Sequence, residues 1–172
     1  MGTPPSGISR AGRPAELLFF ELVPDARPTK SSALGDALVD DHPVEIKLIT
    51  SGVTINQVRA VKYIPLIVHD VPRRDWYVVP PQVVVALVSK KSRGQHTENP
   101  FESATLGLKS VREYRLPDMK ELRREILKAV RTGEQYPRTR AAMNEVLDAS
   151  RVLAAESLSK VRRVLQAEGL AP

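Results

Sequence analysis

The chain has 172 residues, with 26 Lys and Arg against 20 Asp and Glu, and its formal net charge of +6 favours a polyanionic partner. Hydrophobic residues make up 42% of it, enough for a packed core, and the absence of Cys excludes disulfides, thiolate zinc sites and cysteine nucleophiles. No stretch approaches the roughly 18 apolar residues of a membrane span and no signal segment follows Met1, so we expect a soluble, cytoplasmic protein.

The N-terminal part of the chain predicts an arm and then a helix. Residues 1–10 lack apolar periodicity and are expected to be a mobile arm. Residues 14–23 suit a helix, because proline fits a first helical position and Pro24 ends the apolar run.

Residues 34–49 predict a β-hairpin with Asp40-Asp41 at its tip, because Asp tolerates the positive φ of a tight two-residue turn. The first arm is expected over 34–39. The second arm, 43–49, alternates apolar and charged residues, which is the period-2 pattern of a half-buried strand.

Several shorter elements are expected in the middle of the chain. They are a helix over 55–63 capped by Thr54, strands over 64–70 and 75–79, a helix over 82–91, a polar loop over 92–104 and a strand over 105–114.

Helices dominate the C-terminal part. Asp118 and Glu121 form a capping box for a helix that runs to Gly133, and a longer helix spans 138–168 before Gly169. We therefore expect a mixed α/β fold with a central sheet flanked by helices and a helical C-terminal segment.

The predicted hairpin gathers charged side chains on one face. With Asp40-Asp41 in the turn, Asp36 faces Glu45 across the two strands, and Lys47 shares the face of Glu45. Opposed carboxylates destabilise a sheet unless something offsets their charge, and a divalent cation is the natural candidate. Oxygen ligands without His or Cys suit Mg²⁺ better than Zn²⁺.

Asp36, Glu45 and the backbone carbonyl of Ile46 are therefore expected to hold one or two Mg²⁺ ions. Such a site would neutralise a phosphodiester oxygen and lower the pKa of a bound water, while Lys47 would orient or help deprotonate that water and counter charge in the transition state. The alternative is an amphipathic hairpin whose charged side chains are merely solvated. Asp40 and Asp41 are weaker ligand candidates, because a turn tip projects away from this face.

Asp36 followed by Glu45-Ile46-Lys47 resembles the motif of the PD-(D/E)xK nuclease superfamily, which includes restriction endonucleases and archaeal Holliday junction resolvases. Gly35 stands where the family usually has Pro. The resemblance covers roughly residues 10–80 and includes the order helix, hairpin, helix, strand.

Two further residues extend the resemblance. Gly12 and Glu16 resemble the GxxxE of the resolvases, whose Glu approaches the metal, and Glu21 is the alternative to Glu16. Gln57 matches a Gln often found early in the helix after the ExK strand. The resemblance therefore implies that Glu16 is an auxiliary carboxylate and metal ligand, and that Gln57 is a positioning group.

The resemblance implies a restriction-endonuclease-like fold, with a catalytic core over 11–117 and a helical segment over 118–172 for DNA contact or dimerisation. It implies a Mg²⁺-dependent endodeoxyribonuclease, with Mn²⁺ as a substitute, most like a type II restriction enzyme that cuts double-stranded DNA as a homodimer in a prokaryotic or phage-like cytoplasm. The alternatives are a Holliday junction resolvase and a non-catalytic DNA-binding protein that uses its basic helices.

Polar and basic side chains on the neighbouring elements are candidates for DNA contact, with ordinary solvated positions as the alternative. They are Arg59, Lys62, Gln95, His96, Asn99, Arg123 and Arg124. The apolar stripe of the last helix is expected either to pack on the catalytic core or to pair with a second subunit.

Overall fold

A computed structural model of the protein describes residues 13–148 and 155–170, so the expected arm over 1–10 lies outside the described residues. The α-helices of the described part are α1 (Arg13–Leu22), α2 (Pro81–Val88), α3 (Leu122–Glu134), α4 (Pro137–Asp148) and α5 (Ala155–Ala167). The strands are β1 (Arg27–Pro28), β2 (Ala37–Val39), β3 (His42–Ile49), β4 (Thr54–Val58), β5 (Leu66–Asp70), β6 (Asp75–Val79) and β7 (Ala104–Gly107). Short 3₁₀ helices lie at Ser32–Leu34, Ala60–Lys62, Leu108–Tyr114 and Met119–Glu121.

The central sheet has five strands in the order β1-β2-β3-β5-β6, and β4 pairs with β7 in a separate ribbon. The pairs β1–β2, β2–β3 and β5–β6 are antiparallel, whereas β3 and β5 run parallel. The mixed α/β class is thereby confirmed. Because β3 is the longest strand and lies in the middle of the sheet, side chains that it carries are held on a rigid support.

The hairpin forms in the predicted register, but its first arm is shorter than expected over 34–39, because Leu34 lies in a 3₁₀ helix and strand pairing begins only at Ala37. Val39 pairs with His42 and Ala37 with Val44. The two turn residues, Asp40 and Asp41, have φ values of 50° and 63°, the conformation that lets a two-residue turn follow the twist of its strands.

The sheet separates two apolar cores. On one face Ile46 of β3 packs with Phe19 of α1 and with Leu122 and Ile126 of α3. On the other face Ile49 packs in a larger core to which α2, α4, α5 and the β4–β7 ribbon contribute. The C-terminal helices thus cover both faces of the sheet, and residues 118–148 and 155–170 share their cores with the preceding chain.

Two predictions for the middle of the chain are wrong. Residues 55–63 form β4 and the 3₁₀ turn Ala60–Lys62 rather than a helix, and Thr54 begins the strand instead of capping a helix. Residues 105–114 are strand only as far as Gly107 and then coil into a 3₁₀ helix. Each segment is shaped by the pairing of β4 with β7, a long-range contact that local periodicity does not reveal.

The single helix predicted over 138–168 is also wrong. The Glu168 carboxylate, just beyond α5, accepts hydrogen bonds from the backbone N–H groups of Arg138 and Thr139 at the start of α4. A straight helix rises about 1.5 Å per residue and cannot bring its own two ends together, so α4 and α5 lie antiparallel. Gly169 ends α5 with a φ of 71°, as expected for a helix C-terminus.

Candidate functional site

Glu45 is the centre of the site that the hairpin builds. The Nζ atom of Lys47 lies 2.8 Å from Oε1 of Glu45, and Nζ of Lys62 lies 2.7 Å from Oε2. The side chains of Glu45 and Lys62 are only 8% and 10% exposed, whereas that of Lys47 is 21% exposed. Burial acts to raise the pKa of Glu45, but the two ammonium groups outweigh it and hold this pKa below its ordinary value.

Asp36 completes a cluster of four charged side chains. Its Oδ2 accepts a hydrogen bond of 2.7 Å from the backbone N–H of Ile46. Burial, and then the nearby charge of Glu45, raise the pKa of Asp36, and they outweigh the hydrogen bond from Ile46 and the charges of Lys47 and Lys62. We call Asp36, Glu45, Lys47 and Lys62 the charged cluster.

Gly35 sets the position of Asp36. The β2–β3 ladder ends at the pair Ala37 and Val44, and the Asp36 N–H then donates to the Val44 carbonyl. This bend needs a φ of 117° at Gly35, where a Cβ atom would lie 2.8 Å from the Val44 oxygen. Only glycine fits there, because both the φ value and the space exclude a side chain.

Because of this bend, no β2 backbone group pairs with Ile46 at this edge of β3, and the Asp36 side chain accepts its N–H instead. The N–H and C=O of one residue point to the same edge of a strand. The Ile46 carbonyl therefore points toward the side on which Asp36 lies. This orientation is compatible with the predicted ligand role of the Ile46 carbonyl.

Lys62 is held on a rigid support, the 3₁₀ turn Ala60–Lys62. Val61 in this turn is buried, and its N–H donates to the Phe101 carbonyl at 2.9 Å. The hydroxyl of Tyr63 donates to the Gly133 carbonyl at 2.9 Å, and burial raises the pKa of this phenol. The backbone that carries Lys62 is thus fixed by these contacts of its neighbours.

Sequence reasoning placed Lys62 among DNA contacts and missed its part in the cluster. A signal was available in the two apolar runs that became β3 and β5. These strands are parallel neighbours with Glu45 opposite Leu66, so residues just before β5 lie beside Glu45.

Glu16 and Gln57 lie on elements other than the hairpin, and the role of Glu16 as an auxiliary carboxylate stays a prediction. Glu16 is half-buried on α1, which packs on the sheet face of Ile46, whereas Glu45 and Lys47 project from the other face. Gln57 is exposed on β4 with a φ of 54°, and its N–H donates to Oε1 of Gln95. The helix on which the resemblance placed Gln57 is therefore absent from residues 55–63.

The candidates for DNA contact are dispersed. Arg123 pairs with Asp25, and Arg124 pairs with Glu121 and Glu125, all on or near α3. The prediction that Asn99 contacts DNA is wrong, because Asn99 is buried and its Oδ1 accepts a hydrogen bond from the Phe101 N–H. Arg59 and His96 are exposed, and Gln95 is half-buried.

The oxygen donors of the cluster fit a hard divalent cation. Within residues 13–148 and 155–170 no three His, Asp or Glu side chains are grouped so that they could hold a metal ion together. Mg²⁺ is commonly bound through only one or two carboxylates, with water and phosphate oxygens completing its shell. Asp36, Glu45 and the Ile46 carbonyl meet that requirement, although both oxygens of Glu45 are paired with lysines.

Comparison of the chain with protein-family models, with curated proteins and with solved structures finds no match. None of the helices in the described part of the chain is both long and apolar enough to cross a bilayer. What the site can do must therefore be judged from its own residues.

Proposed function

We propose that the protein is a Mg²⁺-dependent endonuclease that hydrolyses phosphodiester bonds of duplex DNA, in the manner of a type II restriction enzyme. The observation that carries the proposal is the charged cluster. Asp36, Glu45 and Lys47 lie close together at the hairpin, and the Lys47 ammonium contacts the Glu45 carboxylate, which supports the resemblance to the PD-(D/E)xK motif. The net charge of +6 suits a polyanionic substrate.

Asp36, Glu45 and the Ile46 carbonyl would hold the cation. When bound, Mg²⁺ supplies charge neutralisation at the phosphate and a lowered pKa for a water molecule. Mn²⁺, which also takes oxygen ligands, is expected to substitute. Glu16, half-buried on α1, stays the proposed auxiliary carboxylate and further ligand that the GxxxE resemblance implies.

The two lysines have different tasks in this proposal. Lys47, the more exposed of the two, orients the attacking water and counters the negative charge that develops on the phosphate. Lys62 is a positioning residue: it holds the Glu45 carboxylate in place and keeps it ionised.

Cleavage of both strands requires two active sites, so a homodimer is part of the proposal. Duplex DNA is the proposed substrate, because residues 80–172 exceed what a minimal resolvase core needs. A junction resolvase, which the GxxxE resemblance favours, is the alternative.

The test is a plasmid cleavage assay with Mg²⁺, with Mn²⁺ and with EDTA, in which Lys47→Met and Lys62→Met serve as a matched pair. We expect discrete products from the unaltered chain and none in EDTA. Lys47→Met should lower the rate at least about 100-fold, because it removes the group that acts on the water. Lys62→Met should lower it about 10- to 100-fold, the usual cost of removing a supporting group.

The pH profile separates the two roles. Loss of the Lys62 charge raises the pKa of Glu45, so the acidic limb of the rate profile should move to higher pH in Lys62→Met. Full activity of Lys47→Met would overturn the catalytic assignment. DNA retention without nicking in either metal would point to a non-catalytic DNA-binding protein, and preferential cutting of a four-way junction over a linear plasmid would point to a resolvase.

A further inference from the structure

A basic segment follows α2, and its cationic side chains make no ion pairs with the described residues. Lys90, Lys91 and Arg93 are exposed, and Glu98 is the one acid in the sequence SKKSRGQHTEN. None of these three cations makes an ion pair with any of the described residues. Arg123, Arg124 and Lys128 on α3, in contrast, are paired with carboxylates.

The backbone of this segment is fixed. The N–H of Gly94 donates to the Thr97 carbonyl at 2.9 Å, and the N–H of Gln95 donates to the Ser103 carbonyl at 2.7 Å. A Cβ atom at Gly94 would lie 2.5 Å from the Ser103 oxygen, so the path of the chain depends on glycine. The segment from 90 to 96, here called the 90–96 loop, therefore presents its side chains from a defined surface.

Two exposed polar residues of unusual backbone conformation meet at this surface. His96 has a φ of 62° and Gln57 a φ of 54°. Between them, Oε1 of Gln95 accepts hydrogen bonds from the Gln57 N–H at 2.9 Å and from the Thr105 hydroxyl at 3.0 Å. Such conformations cost energy in non-glycine residues and persist where the surrounding structure enforces them, often at ligand-contact surfaces.

The chain that continues from the 90–96 loop is fastened beside the charged cluster. The Phe101 carbonyl accepts the N–H of Val61, and the same 3₁₀ turn carries Lys62, whose ammonium contacts Glu45. The cations of α3 lie on the helix that packs on the opposite face of the sheet. The residues that flank the loop, Val88 and Phe101, belong to the core on the face of the sheet from which Glu45 projects, so the loop is attached on that side.

We infer that the 90–96 loop, together with Gln57, is the surface that holds the DNA backbone next to the charged cluster. Lys90, Lys91 and Arg93 contact phosphate oxygens, and His96 and Gln57 face the strand that enters the cluster. The inference rests on the proposed function for the identity of DNA as the substrate. It goes further in locating the contact surface and in excluding α3 from it.

The test is fluorescence anisotropy of a labelled mixed-sequence duplex, titrated with protein in EDTA over a series of salt concentrations. The loop variant is Lys90→Gln/Lys91→Gln/Arg93→Gln. The matched control, Arg123→Gln/Arg124→Gln/Lys128→Gln, loses the same charge from α3. We expect the loop variant to bind at least about tenfold more weakly and to lower the slope of log affinity against log salt by about 3, with less than about a threefold change in the control.

Equal losses in the two variants, or a greater loss from α3, would overturn the inference, as would undetectable binding by the unaltered chain. A loop-dependent affinity without cleavage in Mg²⁺ or Mn²⁺ would support the inference and refute the proposed function. If the unaltered chain cleaves DNA but the loop variant binds DNA normally, the result would support the proposed function and overturn the inference. Thermal unfolding of both variants checks that they fold, which these exposed positions allow.

Discussion

Asp36 and Glu45 are neighbouring carboxyl groups whose pKa values are displaced in opposite directions. The pKa of Asp36 is raised, first by burial and then by Glu45, whereas the lysines hold that of Glu45 down against its burial. At neutral pH the Asp36 charge is therefore held at a cost in folding free energy. Sites that bind a cation commonly accept such a cost, because the ligand relieves it.

Replacing Asp36 by Asn should stabilise the metal-free protein at neutral pH. A raised folded-state pKa means that the stability contributed by Asp36 is present below its unfolded pKa, near 3.8, and is lost as pH rises through the folded value. The variant has no such loss, and its amide oxygen can still accept the Ile46 N–H. We expect a gain of about 0.5–2 kcal/mol in the free energy of unfolding at pH 7.5, and less near pH 4, measured by urea denaturation in EDTA.

Asp40→Asn is the matched control for this change. Asp40 is exposed at the hairpin tip, and Asn tolerates its φ of 50° equally well. As a change at an exposed position, it should alter the free energy of unfolding by less than about 0.5 kcal/mol. Equal gains in both variants, or a loss in Asp36→Asn at neutral pH, would contradict the idea that the Asp36 charge is strained.

At the scale of elements, the sequence predicted what local chemistry determines. The hairpin register could be predicted from the strand alternation and from the two aspartates in the turn. That register already predicted that Asp36, Glu45 and Lys47 would lie close together. The helix prediction for residues 55–63 was wrong because Ile55, Val58 and Val61 recur at a helical spacing. They belong instead to a strand and a turn that are fixed by distant partners.

The local sequence around Lys62 does not predict its place in the charged cluster. Its position depends on the parallel pairing of β3 with β5 and on the packing of its turn against Phe101, and both are contacts between distant parts of the chain. Gly133 is the penultimate residue of α3, so the predicted end of this helix is right to within one residue. A Cβ there would lie 2.6 Å from Pro81, so glycine also lets α3 pack closely against α2.

Gly35→Ala tests whether the bend before β2 positions the site. The substitution meets both an excluded φ and the Val44 oxygen, so we expect it to cost about 1–3 kcal/mol and to displace Asp36. Cleavage should fall with it at temperatures where the variant is folded. Urea denaturation and the plasmid assay measure the two effects.

Gly52→Ala provides the comparison, since Gly52 has a φ of 74° but nothing within 4 Å of an added Cβ. It should cost about 1–2 kcal/mol through backbone strain alone and leave cleavage unchanged. If Gly35→Ala behaved in the same way, the bend would have no part in placing Asp36.

At the scale of the whole molecule, the charged cluster lies on the central sheet, which separates the two apolar cores. Ile46 anchors β3 in the core beneath α1 and α3, while Ile49 anchors it in the core beneath α2, α4 and α5. Glu45 and Lys47 flank Ile46 on the same strand. The precision of the site thus depends on helices from both ends of the chain.

Val161 and Leu165 in the apolar stripe of α5 are buried within the chain, which favours packing on the core over pairing with a second subunit. Leu165 is 1% exposed in the core shared with α4, whereas Leu147 on α4 is 60% exposed. Leu165→Ala should cost about 2–5 kcal/mol, and Leu147→Ala less than about 0.5 kcal/mol. Because Leu165 packs inside one chain, the loss in thermal midpoint should be the same at every protein concentration, whereas a contact between subunits would give a loss that varies with concentration. Thermal unfolding over a wide range of concentrations distinguishes these outcomes, and a loss confined to low concentration would assign the α5 stripe to a dimer interface.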